Sequence, residues 1–278
     1  MRLTLLTLLV MVAFAANSVL NRAALIGGGN DALSFAALRV LAGAVVLGAI
    51  ATALRRGDWL RRLRGPGAVM LAIYVIGFSL AYGRLDAGAG ALILFGGVQV
   101  TMFAGAILSG EAVPARRWAG SALALAGLAL MFWPGGSGGV SLVHGLAMAA
   151  AAVGWGIYSL LGRGVSDPVS ATAAAFLGAV PLALVAMALG PAPLSLDAGG
   201  VALAVVSGAV TSGLGYALWY AVVPQLGATR AALWQLSVPV IAVLGGALIL
   251  SEPVGLRLVV ASGLVVGGIA LGLVGRRS

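Results

Sequence analysis

Ten runs of about twenty apolar residues, joined by short loops that carry nearly all of the charge, decide the solvent in which this chain folds. A hydrocarbon layer about 30 Å thick is crossed by roughly 20 residues of helix, and within it every backbone N–H and C=O must find a partner inside the chain. The runs lie near residues 3–21, 32–54, 66–82, 88–109, 116–133, 142–161, 169–190, 198–220, 228–250 and 254–275. This spacing predicts an all-α integral membrane protein of ten transmembrane helices, with no loop long enough to hold a water-soluble domain. Only 8% of the residues are charged, where a soluble domain has about 25%. The net charge of +9 would suit nucleic acid only if the basic residues shared one solvated face. Here they lie between apolar runs, so the lipid bilayer is the expected partner and nucleic acid is not. Cysteine is absent, which excludes disulfides and thiolate metal sites.

The sequence also repeats itself. Shifted by 141 positions, Glu111, Val113 and Arg116 fall on Glu252, Val254 and Arg257, while Phe14, Ser18 and Arg22 fall on Trp155, Ser159 and Arg163. At a slightly smaller offset Asp31 and Ser34 match Asp167 and Ser170. Two five-helix repeats follow, residues 1–137 and 138–278, forming one membrane domain. With the N-terminus in the cytoplasm, twelve arginines lie on the cytoplasmic side and only Arg22, Arg84 and Arg257 face outward. An odd number of spans in each half makes the second half enter from the opposite side. The expectation is a 5+5 inverted repeat with N- and C-termini cytoplasmic. Two such halves can exchange conformations, which turns a cavity open to one side into a cavity open to the other.

The ten spans, the 5+5 repeat, a glutamate near the end of the fourth span of each half, and Trp155-Gly156 in the second half together resemble the drug/metabolite transporter superfamily, EamA type. The resemblance covers essentially the whole chain, and the stretch from Tyr74 to Gln99 looks most like YddG-type exporters of aromatic amino acids. It implies a secondary transporter, multi-pass in the bacterial inner (plasma) membrane, that exports small metabolites by alternating access. Aromatic or neutral amino acids are the first expectation; drugs, sugars or organic cations are the alternative. The direction of flux comes from the resemblance alone. This sequence departs from the pattern at Phe14, where the second half has Trp155, and at Gly97 to Gln99, where it has Val238-Pro239-Val240.

Substrate-binding candidates are residues whose chemistry is out of place in lipid. Tyr74, Phe78 and Tyr82 recur every four residues and share one face of the third span. Phe95 and Gln99 make a similar stripe on the fourth, and an amide as deep as Gln99 needs a partner or a wet cavity. The second half adds Trp155, Tyr158, Tyr216 and Trp234 with Gln235. Tyr82 also lies where aromatic residues collect for lipid reasons alone. Asn17 either joins the pocket or bonds a neighbouring helix. Arg39 stands ~10 Å inside the second span by helical rise, where its guanidinium either binds a substrate carboxylate, snorkels outward or pairs with Asp31. An aromatic cavity with a few amide and hydroxyl groups suits planar or amphipathic solutes better than phosphorylated ones.

No Asp or Glu falls near a span centre, which disfavours carboxylate-based proton or sodium coupling. Glu111 and Glu252 each precede an arginine by five residues and are expected to pair locally. The single histidine, His144, sits at the edge of the sixth span, and no nucleophile with a base, paired aspartates or metal cluster lies at depth. Neither enzyme activity nor a cofactor or metal is expected. A channel would need a polar ring repeated around an axis. Gly263/Gly267 and Gly268/Gly272 have the spacing of close helix contacts, which fits packing within a monomer or in a weak dimer.

Overall fold

Three aspartates start three helices in the same way. Asp31 accepts the Ser34 N–H at 2.7 Å, Asp167 that of Ser170 at 3.3 Å, and Asp197 that of Gly200 at 2.6 Å. Each carboxylate satisfies an N–H that the first helical turn leaves without a carbonyl. The computed structural model describes residues 2–54, 65–108, 114–133, 140–161, 165–190, 195–226, 234–235 and 237–273, and among these it is helical without a strand. In chain order the helices are α1 (Arg2–Leu25), α2 (Ala32–Ala53), α3 (Gly65–Tyr82), α4 (Ala87–Leu108), α5 (Ala115–Phe132), α6 (Leu142–Leu161) and α7 (Pro168–Ala188). Then come α8 (Ala198–Val206), a π segment (Ser207–Leu214), α9 (Gly215–Leu226), α10 (Ser237–Leu250) and α11 (Leu256–Leu273). Glu111 and Arg163 of the sequence repeat lie outside the described residues, as do the loop arginines of 55–64.

Among the described residues seven helices are long and apolar enough to cross a membrane, with Ala198–Trp219 counted as one; Trp118–Met131, Ser237–Leu250 and Leu256–Gly272 are shorter apolar helices. The chain is a multi-pass membrane protein. Its outward faces carry bare aliphatics, Leu248 at 83% and Ile249 at 71% exposure, a surface that only lipid would cover.

Small residues set how closely the helices approach. A Cβ on Gly77 of α3 would lie 2.5 Å from the Ala147 carbonyl oxygen of α6, and one on Gly154 of α6 would lie 2.7 Å from that of Met70. The two helices therefore pack backbone to backbone. A second, smaller core of Leu92, Ala124, Met131, Ala261 and Val265 joins α5 and α11 to α4. There Gly268 backs onto Gly120 of α5, whereas a side chain on Gly263 or Gly267 would meet nothing within 4 Å. The two glycine pairs of the last helix thus differ: the second packs within the monomer, and the first faces outward.

Gly77→Val is expected to destabilise the protein by about 1–3 kcal/mol through overpacking against α6, read as a lower unfolding midpoint in detergent. Gly263→Ala, on the open face, should leave that midpoint unchanged or slightly raised.

Candidate functional site

Ser207, Thr211 and Ser212 reach the centre of the bundle because a π turn closes every five residues, so positions four and five apart share a face. Their approach depends on Gly208, where any Cβ would collide with the Arg39 carbonyl oxygen of α2. Opposite them stands Asn17 of α1. Its Oδ1 accepts from Ser207 at 2.8 Å, from Ser212 at 3.4 Å and from Thr211. Asn21 donates to the Asn17 carbonyl at 2.9 Å and accepts the Ser79 hydroxyl of α3 at 2.9 Å. Groups with no water to fall back on therefore tie α1, α3 and the π segment together.

Arg39 occupies the other side of Ser212 and is 1% exposed. Its Nε and Nη2 donate to Ser212 Oγ at 3.3 and 3.2 Å, and Nη2 also donates to the Tyr74 hydroxyl at 3.2 Å. The guanidinium carbon lies 4.8 Å from the Phe78 ring centre and 5.5 Å from that of Tyr74, within cation–π range. Nη1 has no hydrogen-bond partner. The guanidinium sets a positive charge at this depth in the bundle. Arg39 neither snorkels nor pairs with Asp31, whose carboxylate is taken by the Ser34 N–H and by its hydroxyl at 2.8 Å.

Aromatic rings close in beside it. Trp155 lies 4.9 Å from both Tyr74 and Tyr216 and stacks on Tyr158 at 5.6 Å, while Phe14 meets Tyr216 edge-on at 5.6 Å. These are the tilted and edge-to-face arrangements that the ring quadrupole favours. Phe14, Asn17, Tyr74, Phe78, Leu94, Phe95, Trp155 and Tyr216 line a narrow cavity of about 10 Å³, which a ligand enters only as the rings around it move apart.

Of the residues picked out from sequence, Asn17, Tyr74, Phe78, Phe95, Trp155 and Tyr216 line this cavity. Arg39 contacts two of the lining rings and Tyr158 stacks on a third. Tyr82 is fully buried rather than at a lipid interface; it packs on Phe78 at 4.7 Å and donates to the Ala87 carbonyl at 3.3 Å. Gln99, Trp234 and Gln235 are half-buried and outside the lining. Phe14, which the sequence marks only as the counterpart of Trp155, also lines the cavity, as does Leu94, which carries no signal in the sequence; for the three hydroxyls of the π segment the signal is the small polar cluster in the middle of the eighth run.

A second polar knot ties the end of α1 to its neighbours. Arg22 Nε meets Glu252 Oε1 at 3.0 Å, Nη2 meets Asp86 at 3.5 Å, and Nη1 donates to the Tyr82 carbonyl at 3.2 Å. The other Glu252 oxygen accepts the Ala87 N–H at 2.8 Å. Burial holds the Glu252 carboxyl above the ordinary glutamate range, against the opposing effects of the Ala87 N–H and Arg22. Glu252 therefore pairs across the bundle rather than with Arg257. The latter is carried by α11 towards α5 and donates to the Trp133 carbonyl at 3.0 Å.

Comparison with known proteins relates this sequence to a transporter family. The EamA-like transporter family profile matches residues 144–274. An uncharacterised protein of Pseudomonas aeruginosa is 46% identical over 270 residues, 97% of this chain and 94% of the other. An uncharacterised transporter of Archaeoglobus fulgidus is 26% identical over 85% of this chain and 87% of its own. A solved protein crystal structure with 21% identity superposes with a TM-score of 0.66, covering 97% of this chain and 95% of that one, and shares the fold.

Asn17→Ala removes the acceptor of three buried hydroxyls at once. The expected result is a loss of about 1–3 kcal/mol or more, seen as a lower unfolding midpoint in detergent.

Proposed function

Because the chain belongs to the EamA-like transporter family of the drug/metabolite transporter superfamily, and so is a membrane transporter of small molecules, we propose that it exports aromatic and neutral amino acids by alternating access. Its place in this reading is the bacterial inner membrane, with both termini cytoplasmic. The ten spans form two inverted five-helix halves, residues 1–137 and 138–278.

Helix packing supports this arrangement. Exchanging α1 with α6, α2 with α7, α3 with α8–α9, α4 with α10 and α5 with α11 carries the main contacts onto one another. The pairs α2·α7, α4·α10 and α5·α11 map onto themselves, α3·α6 maps onto α1 with α8–α9, and α4·α6 maps onto α1·α10. The caps repeat as well: Asp31 and Asp167 each hold both the N–H and the hydroxyl of the serine three residues on.

The observation that carries the substrate class is the aromatic cavity between these halves, lined by Phe14, Phe78 and Phe95 with the polar edges of Tyr74, Trp155 and Tyr216. Flat apolar side chains stack on such walls. Organic cations fit worse, because the buried Arg39 guanidinium beside Tyr74 and Phe78 repels them.

Labelled Phe, Trp and Thr, with Lys as the charged control, should show saturable counterflow in proteoliposomes for the neutral amino acids. Tyr74→Ala or Trp155→Ala should weaken apparent affinity about tenfold, the loss of roughly 1.4 kcal/mol of ring contact. Gln99→Ala should have a smaller effect. Non-saturating flux without counterflow would point to a pore, and no flux of any amino acid would move the substrate outside this class.

A further inference from the structure

Among the described residues, Arg39 is the one charge set inside the bundle rather than at a helix end. The acidic groups described, Asp31, Asp86, Asp167, Asp197 and Glu252, lie at helix starts or in loops, and Asp86 and Glu252 pair with Arg22. The guanidinium is held by two hydroxyls and two ring faces, and its Nη1 has no partner at all. A buried cation without a countercharge is costly in any low-dielectric surrounding. The Ser212–Asn17 relay offsets part of this by passing the charge's pull on to the Asn17 oxygen.

Hydrogen-bond directions sharpen the picture. The Tyr74 hydroxyl accepts from Arg39 and, at 3.4 Å, from Tyr216, so its own proton remains to be donated. Asn17 Oδ1, an acceptor on the cavity wall, is already taken by three hydroxyls. The site therefore offers Nη1 and the Tyr74 proton as donors for an anion, while the guanidinium opposes an ammonium group.

We propose that Arg39 Nη1 and the Tyr74 hydroxyl bind the substrate carboxylate, and that the ligand class is small aromatic monocarboxylates, recognised by carboxylate and ring with no requirement for an amino group. This rests on the cavity being the transport site, and it makes the aromatic amino acids one subset of the ligands. Tyr74 and Phe78 both line the cavity and cover the guanidinium. A carboxylate reaches Nη1 when one of these rings turns aside, and the apolar part of the ligand then lies against Trp155.

The test is binding to the purified full chain in detergent, followed by Trp fluorescence and by the unfolding midpoint. The probes are phenylacetate, phenylpyruvate, phenylalanine, 2-phenylethylamine and 2-phenylethanol. The two acids lacking an amino group should bind at least as well as phenylalanine, and the amine and the alcohol at least tenfold more weakly. Arg39→Gln should lose the preference for acids. Should that variant fail to fold, Asn17→Asp supplies the guanidinium with an internal countercharge through Ser212. It should raise the midpoint of the unliganded protein and weaken acid binding at least tenfold. Equal binding of amine and acid, a flat response to every acid, or acid binding unchanged in Asn17→Asp would overturn the proposal. Counterflow that ignores the carboxylate would defeat it while leaving amino acid transport intact. Acid-selective binding without flux would support it and defeat the transport reading.

Discussion

The contact between the π segment and α2 at Gly208 governs the interior of this protein. A side chain there would strike the Arg39 backbone; without one, Ser212 comes within hydrogen-bond reach of both Arg39 and Asn17. The polar hub, the guanidinium and the aromatic walls all take their positions from that approach. Buried inside the bundle, the hub's bonds constrain it more tightly than similar bonds would on a soluble surface. The glycine contacts between α3 and α6 do the equivalent work by packing alone.

Much of the fold could be read from sequence because lipid imposes a simple rule on composition. The apolar runs and their lengths gave the helices, and the paired Asp31/Ser34 and Asp167/Ser170 were visible as a repeat before they were visible as caps. The stripe Tyr74, Phe78, Tyr82 needed only the helical period to be placed on one face, and all three residues are buried in the core.

Other features depend on azimuth and on partners from distant segments, which hydropathy does not encode. Gln99 is deep in its span, yet depth does not say which way a side chain points, and the cavity wall on α4 is made by Leu94 and Phe95 instead. Arg39 was legible as anomalous but not as enclosed, since its partners Tyr74 and Ser212 come from two other helices. Glu252 found Arg22, 230 positions away, because the loop after α10 lies over the end of α1. The π segment was hidden because the hydroxyls of Ser207 to Leu214 mark polarity within the run and say nothing of whether its backbone bonds close four or five residues apart.

That π segment also stores slack. Its bonds close five residues apart, and rewinding to the four-residue α spacing would re-register everything after it by one residue, about 100° of rotation and 1.5 Å of rise. Tyr216 is the second residue of α9 and would feel the whole of that step, leaving Tyr74 and Trp155. A change of winding at this point would thus turn an exchange of backbone hydrogen bonds into a change of wall geometry, carried by α9 into the cavity.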